Sequence, residues 1–286
     1  MSPLAELAAK PPHVCTDDQF GPWFASLAAR LLNQTDFMVN GQPYRFAELE
    51  AYYYGEGHPD PFTHRDPLQA FNGRWYFHRT AGVYRSGSFK GVDLTFGDGQ
   101  TVFGVLVRAI ITPDGTVIDG PSLTVDHLLA CTRAANVAAL DGMIAARAAW
   151  DSSSPLVVQD AVTQRTSVVL ATARVGLSLK RSRNPDASRY VMRPYRYLTE
   201  PRLLTKGKPH IVLALYQQGM DTAAIHESTG VPKKTVDRYV AEFATGKAVK
   251  DFAGYVGKDL GPGEWCQLMG TWTANQFQVG ITQLAV

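Results

Sequence analysis

Residues 46–64, FAELEAYYYGEGHPDPFTH, constrain the fold more than any other stretch of this chain. In a β-strand successive side chains point to opposite faces, so residues 46–53 separate into two sets. One set is apolar and suits a hydrophobic core: Ala47, Leu49, Ala51 and Tyr53. The other holds two carboxylates among aromatic rings: Phe46, Glu48, Glu50 and Tyr52. The second set is typical of a cleft wall, but an edge strand with solvated glutamates has the same pattern.

The composition is that of an ordinary soluble protein. The chain has 286 residues, 45% hydrophobic and 19% charged, which is enough for one large domain or two. No apolar run is long enough to span a bilayer, and the N-terminus lacks the charged-then-apolar layout of a signal peptide. The three cysteines lie far apart without a Cys-x-x-Cys pair, so neither a zinc cluster nor a disulfide framework is predicted. These features favour a cytoplasmic location.

Basic residues concentrate in residues 174–210. This segment holds ten Lys and Arg against two acidic residues, a net charge of +8 in a chain whose overall net charge is +2. Three tyrosines are interleaved with the cations. Because cations neutralise phosphates and rings stack on bases, the segment favours a nucleic-acid-binding face over a solvated loop. Its candidate DNA contacts are Arg181, Arg183, Arg193 and Arg196.

Local patterns place helices and strands along the first 200 residues. Apolar residues at i, i+3, i+4 and i+7 predict an amphipathic helix over 22–33, and Asn40-Gly41 predicts a hairpin turn into the Glu-bearing strand. Alternating aromatics over 74–96 predict two strands with an exposed connection at 82–87. The further predictions are a buried strand at 104–111, a helix over 122–150, and strands at 167–170, 174–179 and 190–198.

After Lys208 the pattern changes to three short helices separated by tight turns. Thr222 is the predicted cap of the second helix, Gly230 supplies the turn before the third, and Pro232 suits the third helix's first turn. This spacing predicts a helix-turn-helix. However, His226 stands where such motifs usually carry a small Ala, so a plain three-helix bundle is the alternative. The residues predicted to face DNA are Lys233, Lys234, Thr235 and Arg238.

Six short runs occur in a characteristic order: LAARLLN (27–33), AELEAYYYGEG (47–57) with a downstream His64, GVLVRAI (104–110), GPS (120–122), and ARVGLSLKR (173–181) followed by YVMRPYRY (190–197). Together they resemble the alkyladenine (3-methyladenine) DNA glycosylase family over about residues 24–206. The resemblance implies a mixed α/β (α+β) fold with a curved antiparallel sheet and packed helices. It implies no metal or other cofactor. The predicted domains are 1–206 (glycosylase-like), 207–246 (helix-turn-helix) and 247–286 (a tail of unknown structure).

The resemblance also implies roles for individual residues. The glutamate of the family's Glu-Ala-Tyr triplet is the general base, a role that falls on Glu50, and the base-stacking tyrosine corresponds to Tyr52. The family's pocket histidine corresponds to His64, or less well to His58. Further base-pocket candidates are Tyr76, His78, Asp93 and Arg108. Tyr84, at the tip of the predicted hairpin with Val83 beside it, is the candidate for an intercalating wedge.

For several of these residues the alternative to a role in the base pocket is a purely structural role. Trp75 and Tyr76 alternate on one strand, so one of them belongs in the core. Arg108 suits a buried ion pair as well as a pocket. Asp93 aligns with a pocket Asn of the family. Since a carboxylate only accepts hydrogen bonds, Asp93 favours a base with an exocyclic amine or a positive charge, unless it pairs with Lys90 or Arg108.

The sequence therefore predicts a monofunctional DNA glycosylase. Such an enzyme flips a modified base out of double-stranded DNA, hydrolyses its N-glycosidic bond with a water activated by Glu50, and leaves an abasic site. The expected substrate is DNA carrying an alkylated purine or a bulky hypermodified base of phage DNA, in repair or in defence. No obligate protein partner and no Schiff-base strand cleavage are predicted. The alternative is a DNA-binding regulator built on an inactive glycosylase fold.

Overall fold

A curled antiparallel sheet forms the centre of the computed structural model, which describes residues 14, 16–182 and 184–275. The strands, numbered along the chain, are β1 (Thr35–Val39), β2 (Gln42–Gly55), β3 (His58–Pro59), β4 (Asn72–Phe77), β5 (Arg79–Thr80), β6 (Val83–Tyr84), β7 (Val92–Phe96), β8 (Val102–Ile111), β9 (Val117–Asp119), β10 (Leu156–Asp160), β11 (Leu170–Thr172) and β12 (Arg196–Leu198).

The main strands lie in the order β10-β1-β2-β8-β7-β4. The long strand β2 joins the parts of the sheet, because β1 pairs with its start, β12 with its middle and β8 with its other edge. Asn40 and Gly41 have φ angles of 49° and 79° and form the tight turn between β1 and β2, as predicted. The predicted mixed α/β class with a curved antiparallel sheet is confirmed.

Helices cover both faces of this sheet. In the described ranges they are α1 (Asp17–Asn33), α2 (Pro121–Thr132), α3 (Val137–Ile144), α4 (Ala187–Tyr190), α5 (Lys208–Gln217), α6 (Thr222–Thr229), α7 (Lys233–Lys247) and α8 (Pro262–Ala274). Helices α1 to α3 bury their apolar sides on one face, and α4 to α8 bury theirs on the other. No helix of the described part is long and apolar enough to cross a membrane.

A β-bulge in β2 changes the predicted strand faces. The register pairs Phe46 with Ile110 and Glu48 with Ala109, so Ala47 is an extra residue on β2. Phe46 therefore points into the same core as Leu49, and its predicted place beside Glu48 is wrong. Glu48, Glu50 and Tyr52 still share one face beyond the bulge.

Some element predictions also differ from the structure. The helix predicted over 122–150 is divided into α2 and α3, because Arg133 adopts a left-handed conformation and Asn136 caps the second helix. Residues 174–179 form no strand, and only the end of the predicted strand 190–198 is extended, as β12. Trp75 is the core residue of the Trp75–Tyr76 pair, with its indole N–H bound to the carbonyl of Leu156.

The C-terminal helices pack directly on the sheet. Residues 211–214 of α5 are almost fully buried in one cluster with residues of β8, β11 and β12, so the predicted boundary at 206/207 falls inside a hydrophobic core.

Asp221, not Thr222, caps α6, and Gly230 supplies the left-handed turn that was predicted. His226 fits its position because its Nδ1 lies 2.8 Å from the carbonyl oxygen of Val231. The predicted tail contains α8, packed on α7.

Candidate functional site

A row of side chains crosses the sheet on the face opposite to α1. The register aligns one residue from each of five strands, in the order Tyr76, Asp93, Leu106, Glu50 and Arg196. Aligned residues of antiparallel strands point to the same face, so these side chains lie side by side. The sheet thus brings together predicted site residues that are far apart in sequence: Glu50, Tyr52, Tyr76, His78, Asp93 and Arg108.

A cavity of about 200 Å³ opens on this face. Its lining residues are Tyr52, Phe62, His64, Gln69, His78, Arg85, Asp93, Leu106, Arg108, Val175, Gly176 and Leu177. Sites for drug-sized ligands usually measure roughly 300–1,000 Å³, so this one suits a single heterocyclic ring system. A larger cavity of about 410 Å³ lies between β11, α5, α7 and α8 and contains none of the predicted site residues.

Glu50 is fully buried behind the wall of the smaller cavity. Its Oε1 accepts a hydrogen bond from the backbone N–H of Val175 at 2.7 Å, and its Oε2 accepts one from the Tyr52 hydroxyl at 2.7 Å. Arg108 Nη1 lies 3.4 Å from Oε2. All three donor residues line the cavity, so the groups bound to the carboxylate belong to the cavity wall.

Arg108 links Glu50 to Glu48. Its Nε lies 2.8 Å from Glu48 Oε1 and 3.4 Å from Glu50 Oε1. Arg196, which is completely buried, donates to the same Glu48 oxygen at 2.5 Å. Burial favours the neutral guanidinium, but Glu50 and Glu48 outweigh it and raise the pKa of Arg108. Arg108 therefore both forms a buried ion pair and lines the cavity. These two roles, which the sequence offered as alternatives, occur together.

Arg174 places a buried positive charge against the ring of Tyr52 and pairs with the carboxylate of Asp60. Its Nη1 lies 2.6 Å from Asp60 Oδ2, and the guanidinium stacks 4.5 Å from the centre of the Tyr52 ring. That ring is only partly buried, but its hydroxyl lies in the interior beside Glu50. Burial and this carboxylate raise the pKa of Tyr52, so the hydroxyl remains a hydrogen-bond donor.

Asp93 holds two cavity side chains in place. Its Oδ1 lies 2.7 Å from Nε2 of His78, and its Oδ2 accepts a hydrogen bond from Nε2 of Gln69 at 2.9 Å. Lys90 and Arg108 were the predicted ion-pair partners of Asp93 in a purely structural role. Both pair with other carboxylates instead. Asp93 is 2% exposed and belongs to the cavity wall.

His64 lies at the open side of the cavity. Its ring centre is 4.3 Å from that of His78 and 6.2 Å from that of Tyr76, edge-on in both cases. Although the side chain keeps contact with solvent, removal of its ring from water and the neighbouring His78 lower the pKa of His64 to about 4. His58, the weaker candidate, is fully buried with Nδ1 2.6 Å from Asp17 Oδ1, so it belongs to the core.

Tyr84 does not occupy the free tip predicted for an intercalating wedge. Its hydroxyl donates to Asp141 at 2.6 Å and accepts from Arg79 at 2.7 Å, and the Arg79 guanidinium also lies 4.3 Å from the ring centre. These contacts hold the ring against the body of the protein. The exposed apolar side chains here are Val83 (71%) and Phe89 (72%), which border a surface groove next to the cavity.

Part of the basic segment at 174–210 is neutralised inside the protein. Arg193 and Arg196 are buried and pair with carboxylates of α1 and β2, so their predicted role as DNA contacts is wrong. A count of acids within the segment missed these partners because they lie more than 140 residues away in sequence. Arg181 is exposed, as a DNA contact requires, and Arg183 lies outside the described residues.

The first turns of α7 carry the other residues predicted to face DNA. Lys233, Lys234 and Arg238 are exposed, and Thr235 is half-buried. The opposite side of the helix buries Val236 and Phe243 against the other C-terminal helices, which fixes the cationic side toward solvent.

Several cavity residues were not predicted from the sequence, among them Phe62, Gln69, Arg85 and Val175. Gln69 had a recognisable signal, because Asp66-Pro-Leu-Gln69 has the spacing of a capping box. Its Oε1 accepts from the backbone N–H of Asp66 at 3.2 Å, which leaves its amide nitrogen to reach into the cavity wall. Val175 contributes a backbone N–H, which no residue pattern reveals.

Ligands for a metal ion are not clustered here. In the part of the chain that the structure describes, no group of three or more His, Cys, Asp or Glu side chains could hold such an ion.

Comparison with known proteins shows a relationship to a viral protein. No family model matches this sequence. The chain is similar to uncharacterized protein L759 of Acanthamoeba polyphaga mimivirus, with 38% identity over 122 residues. The match covers 37% of this chain and 56% of the viral protein, so the chain spans about half the length of that relative. The name of the viral protein states no activity, so the match assigns no function to this chain.

Proposed function

We propose that this chain is a monofunctional DNA glycosylase, acting on a modified base flipped out of double-stranded DNA. The observation that carries the proposal is the buried Glu50 carboxylate behind a cavity that suits one heterocyclic base. Rings of Tyr52, Phe62, His64 and His78 in the cavity wall offer faces on which such a base stacks. The order of sequence runs that resembles alkyladenine glycosylases supports the same function.

Glu50 acts as the general base in this proposal. N-glycosidic hydrolysis passes through an oxocarbenium-like sugar, so a carboxylate near C1′ deprotonates the attacking water and stabilises the developing positive charge. Tyr52 and Val175 fix the two carboxylate oxygens, and Arg108 balances their charge. Water reaches Oε2 when the Tyr52 hydroxyl gives up its hydrogen bond. Among the described residues no lysine lines the cavity, which favours hydrolysis over a Schiff-base route.

Residues around the cavity supply two further features that a base-flipping enzyme needs, a wedge for the gap in the duplex and contacts to phosphates. Val83 and Phe89 are exposed beside it and can fill the gap that the flipped nucleotide leaves. In the proposed helix-turn-helix, Lys233, Lys234 and Arg238 contact phosphates. Because the cavity is small, it favours a base whose modification adds little beyond the ring system, whether in repair or in defence against foreign DNA.

A DNA-binding regulator without catalysis is the second candidate. Complete burial of Glu50, with both oxygens bound, favours it, since an internal ion-pair network can be purely structural. In this case the chain binds duplex DNA through α7 and releases no base.

Base release under single-turnover conditions distinguishes the two candidates. Wild-type protein is incubated with alkylated DNA and with phage DNAs that carry modified bases, and released bases are identified by mass spectrometry. We expect release with an abasic site and an uncut strand, and a rate roughly 10²–10⁴-fold lower for Glu50→Gln at unchanged DNA affinity. Glu56→Gln, an exposed change on the following loop, is the matched control. Wild-type protein that binds duplex DNA but releases no base from any of these DNAs supports the regulator and rejects the enzyme.

A further inference from the structure

The larger cavity, of about 410 Å³, lies between β11 and the C-terminal helices. Its volume falls within the roughly 300–1,000 Å³ that is usual for sites of small organic ligands. Large buried apolar side chains contribute to its wall: Met192, Phe243, Met269 and Trp272. Trp272 already donates its indole N–H to the carbonyl of Arg189 at 3.1 Å, so what it offers a ligand is the apolar ring surface.

This cavity has a charged mouth and an apolar interior. Of its lining residues Tyr216 and Lys247 are exposed, and the others are buried or half-buried. The Lys247 ammonium lies 4.8 Å from the centre of the Phe243 ring, so the charge sits over the apolar wall. Among the lining residues that the structure describes, Lys247 is the one charged side chain, and it pairs with no carboxylate. An amphipathic ligand can therefore place its apolar body inside and an acidic group at Lys247.

Gln217 adds a hydrogen-bond acceptor without a partner. Its Oε1 is buried and receives no hydrogen bond from the described residues. The amide orientation follows from its neighbour: Thr273 Oγ1 donates to the carbonyl of Met269 at 2.9 Å, so it accepts from Gln217 Nε2, 3.4 Å away. A buried acceptor without a donor costs free energy, which an N–H or O–H of a ligand in the cavity offsets.

A packing defect is the alternative explanation of this cavity. Voids that are only packing defects are typically lined by apolar groups alone. Here an unpaired cation and an unpaired acceptor belong to the same wall, and none of the described lining residues is acidic. The electrostatics of the wall thus favour an anion over a cation.

We propose that this cavity is a second ligand site, which binds a small organic acid with an apolar body and an N–H or O–H donor. Lys247 binds the acid group at the mouth, the apolar wall holds the body, and Gln217 accepts a hydrogen bond from the donor. Phe243 and Lys247 belong to α7, so the ligand contacts the third helix of the proposed helix-turn-helix. None of the residues proposed for base excision lines this cavity, so ligand binding here does not depend on the glycosylase function.

A matched pair of fluorescent probes tests the preference for an anion. 1-Anilinonaphthalene-8-sulfonate has an anionic group, an N–H donor and fused rings, and N-phenyl-1-naphthylamine is the same molecule without the sulfonate. Fluorescence titration of the folded full-length protein should show saturable binding of the sulfonate. Lys247→Met should weaken the sulfonate roughly tenfold and the neutral probe less than about twofold, because only the sulfonate loses an ionic partner. Lys250→Met, at an exposed position outside the cavity, should change neither affinity.

A substitution that fills the cavity shows whether the probes bind there. Ala171 is half-buried in the wall on β11, and Ala171→Phe should weaken both probes at least about tenfold, with folding checked by thermal melting. Absence of saturable sulfonate binding to the wild type overturns the proposal. So do equal effects of Lys247→Met on the two probes, or unchanged affinities in a folded Ala171→Phe variant, since the first removes the preference for an anion and the second places the probes elsewhere.

Discussion

Glu48 and Glu50 lie two residues apart on β2 and point to the same face, yet their partners differ. Glu48 contacts two buried guanidinium groups, those of Arg108 and Arg196. Glu50 shares Arg108 but is otherwise bound by Tyr52 and a backbone N–H at the cavity. The strand alternation alone predicts two equivalent carboxylates. Both residues lie between β8 and β12, so their different partners follow from the side chains and backbone groups that reach each carboxylate, not from the strands beside them.

Glu48→Gln should destabilise the protein strongly. The amide keeps the shape of the side chain but leaves Arg108 and Arg196 without their shared counter-charge in the interior. Breaking a buried ion pair on one side typically costs about 3–5 kcal/mol of unfolding free energy. Urea denaturation followed by circular dichroism measures this loss, with the exposed Glu56→Gln as the control. A loss below about 1 kcal/mol would show that the pair is not a main support of the fold.

His210 should make the protein less stable in acid. The side chain is buried, and this burial together with Arg196 and Arg108 lowers its pKa to about 3. An unfolded histidine titrates near 6.5, so between pH 6.5 and 3 the unfolded chain binds a proton that the folded chain does not. This contribution is fully present above pH 6.5 and is lost as the pH falls, by roughly 1 kcal/mol per pH unit.

His210→Asn removes this titration and serves as the comparison for urea denaturation at several pH values. The difference in unfolding free energy between wild type and variant should narrow, or change sign, as the pH falls from 7 to 4. A difference that does not vary with pH would contradict the assignment.

At the level of elements, the sequence predicted strand β2 and the turn before it, but not the β-bulge that interrupts the strand. Alternation located β2, and the Asn-Gly pair located its turn, because both depend on neighbours in the chain. The bulge at Ala47 could not be predicted, since it exists only through pairing with β8. For the same reason the sequence could nominate Glu50 and Asp93 separately, but not the register that aligns both with Leu106.

Helix α7 offers a test of the proposed DNA contact. Lys233 and Lys234 are exposed in its first turn, where two positive charges can neutralise two phosphates. Replacing both with Ala should weaken binding to duplex DNA of any sequence and reduce the slope of log K against log salt concentration by about one to two units. Fluorescence anisotropy over a salt series measures the slope. Lys258, exposed on another loop, provides the control Lys258→Ala, and an unchanged slope for the double variant would exclude α7 from the contact.

At the scale of the whole molecule, counting charges along the chain gave the wrong picture of the basic segment. Arg174, Arg193 and Arg196 find their partners in Asp60, Asp17 and Glu48, which precede them by more than 100 residues. These three internal ion pairs connect the end of the sheet-forming region to its beginning. A local excess of charge predicts an external polyanion only if the folded chain supplies no counter-charge.

The C-terminal helices are part of the same structure as the sheet. Helix α5 buries Ile211, Val212 and Leu213 completely, in a cluster that includes Ile111 of β8 and Leu198 of β12. Burying a large aliphatic side chain contributes about 1.5–3 kcal/mol, and α5 supplies several of them. Since the net stability of a domain is only about 5–15 kcal/mol, the sheet is not expected to fold without this helix.

Deleting residues 208–286 should therefore prevent folding rather than leave an active domain of residues 1–207. The truncation exposes the apolar side of β11 and β12 and removes the helix that covers it, so we expect insoluble protein or a circular dichroism spectrum without a cooperative thermal transition. The full-length chain, prepared in the same way, is the control. In the full-length chain, calorimetry should show a single transition, because the sheet and α5 share one core. A truncated protein that melts cooperatively and still releases bases would instead establish 207 as a true domain boundary.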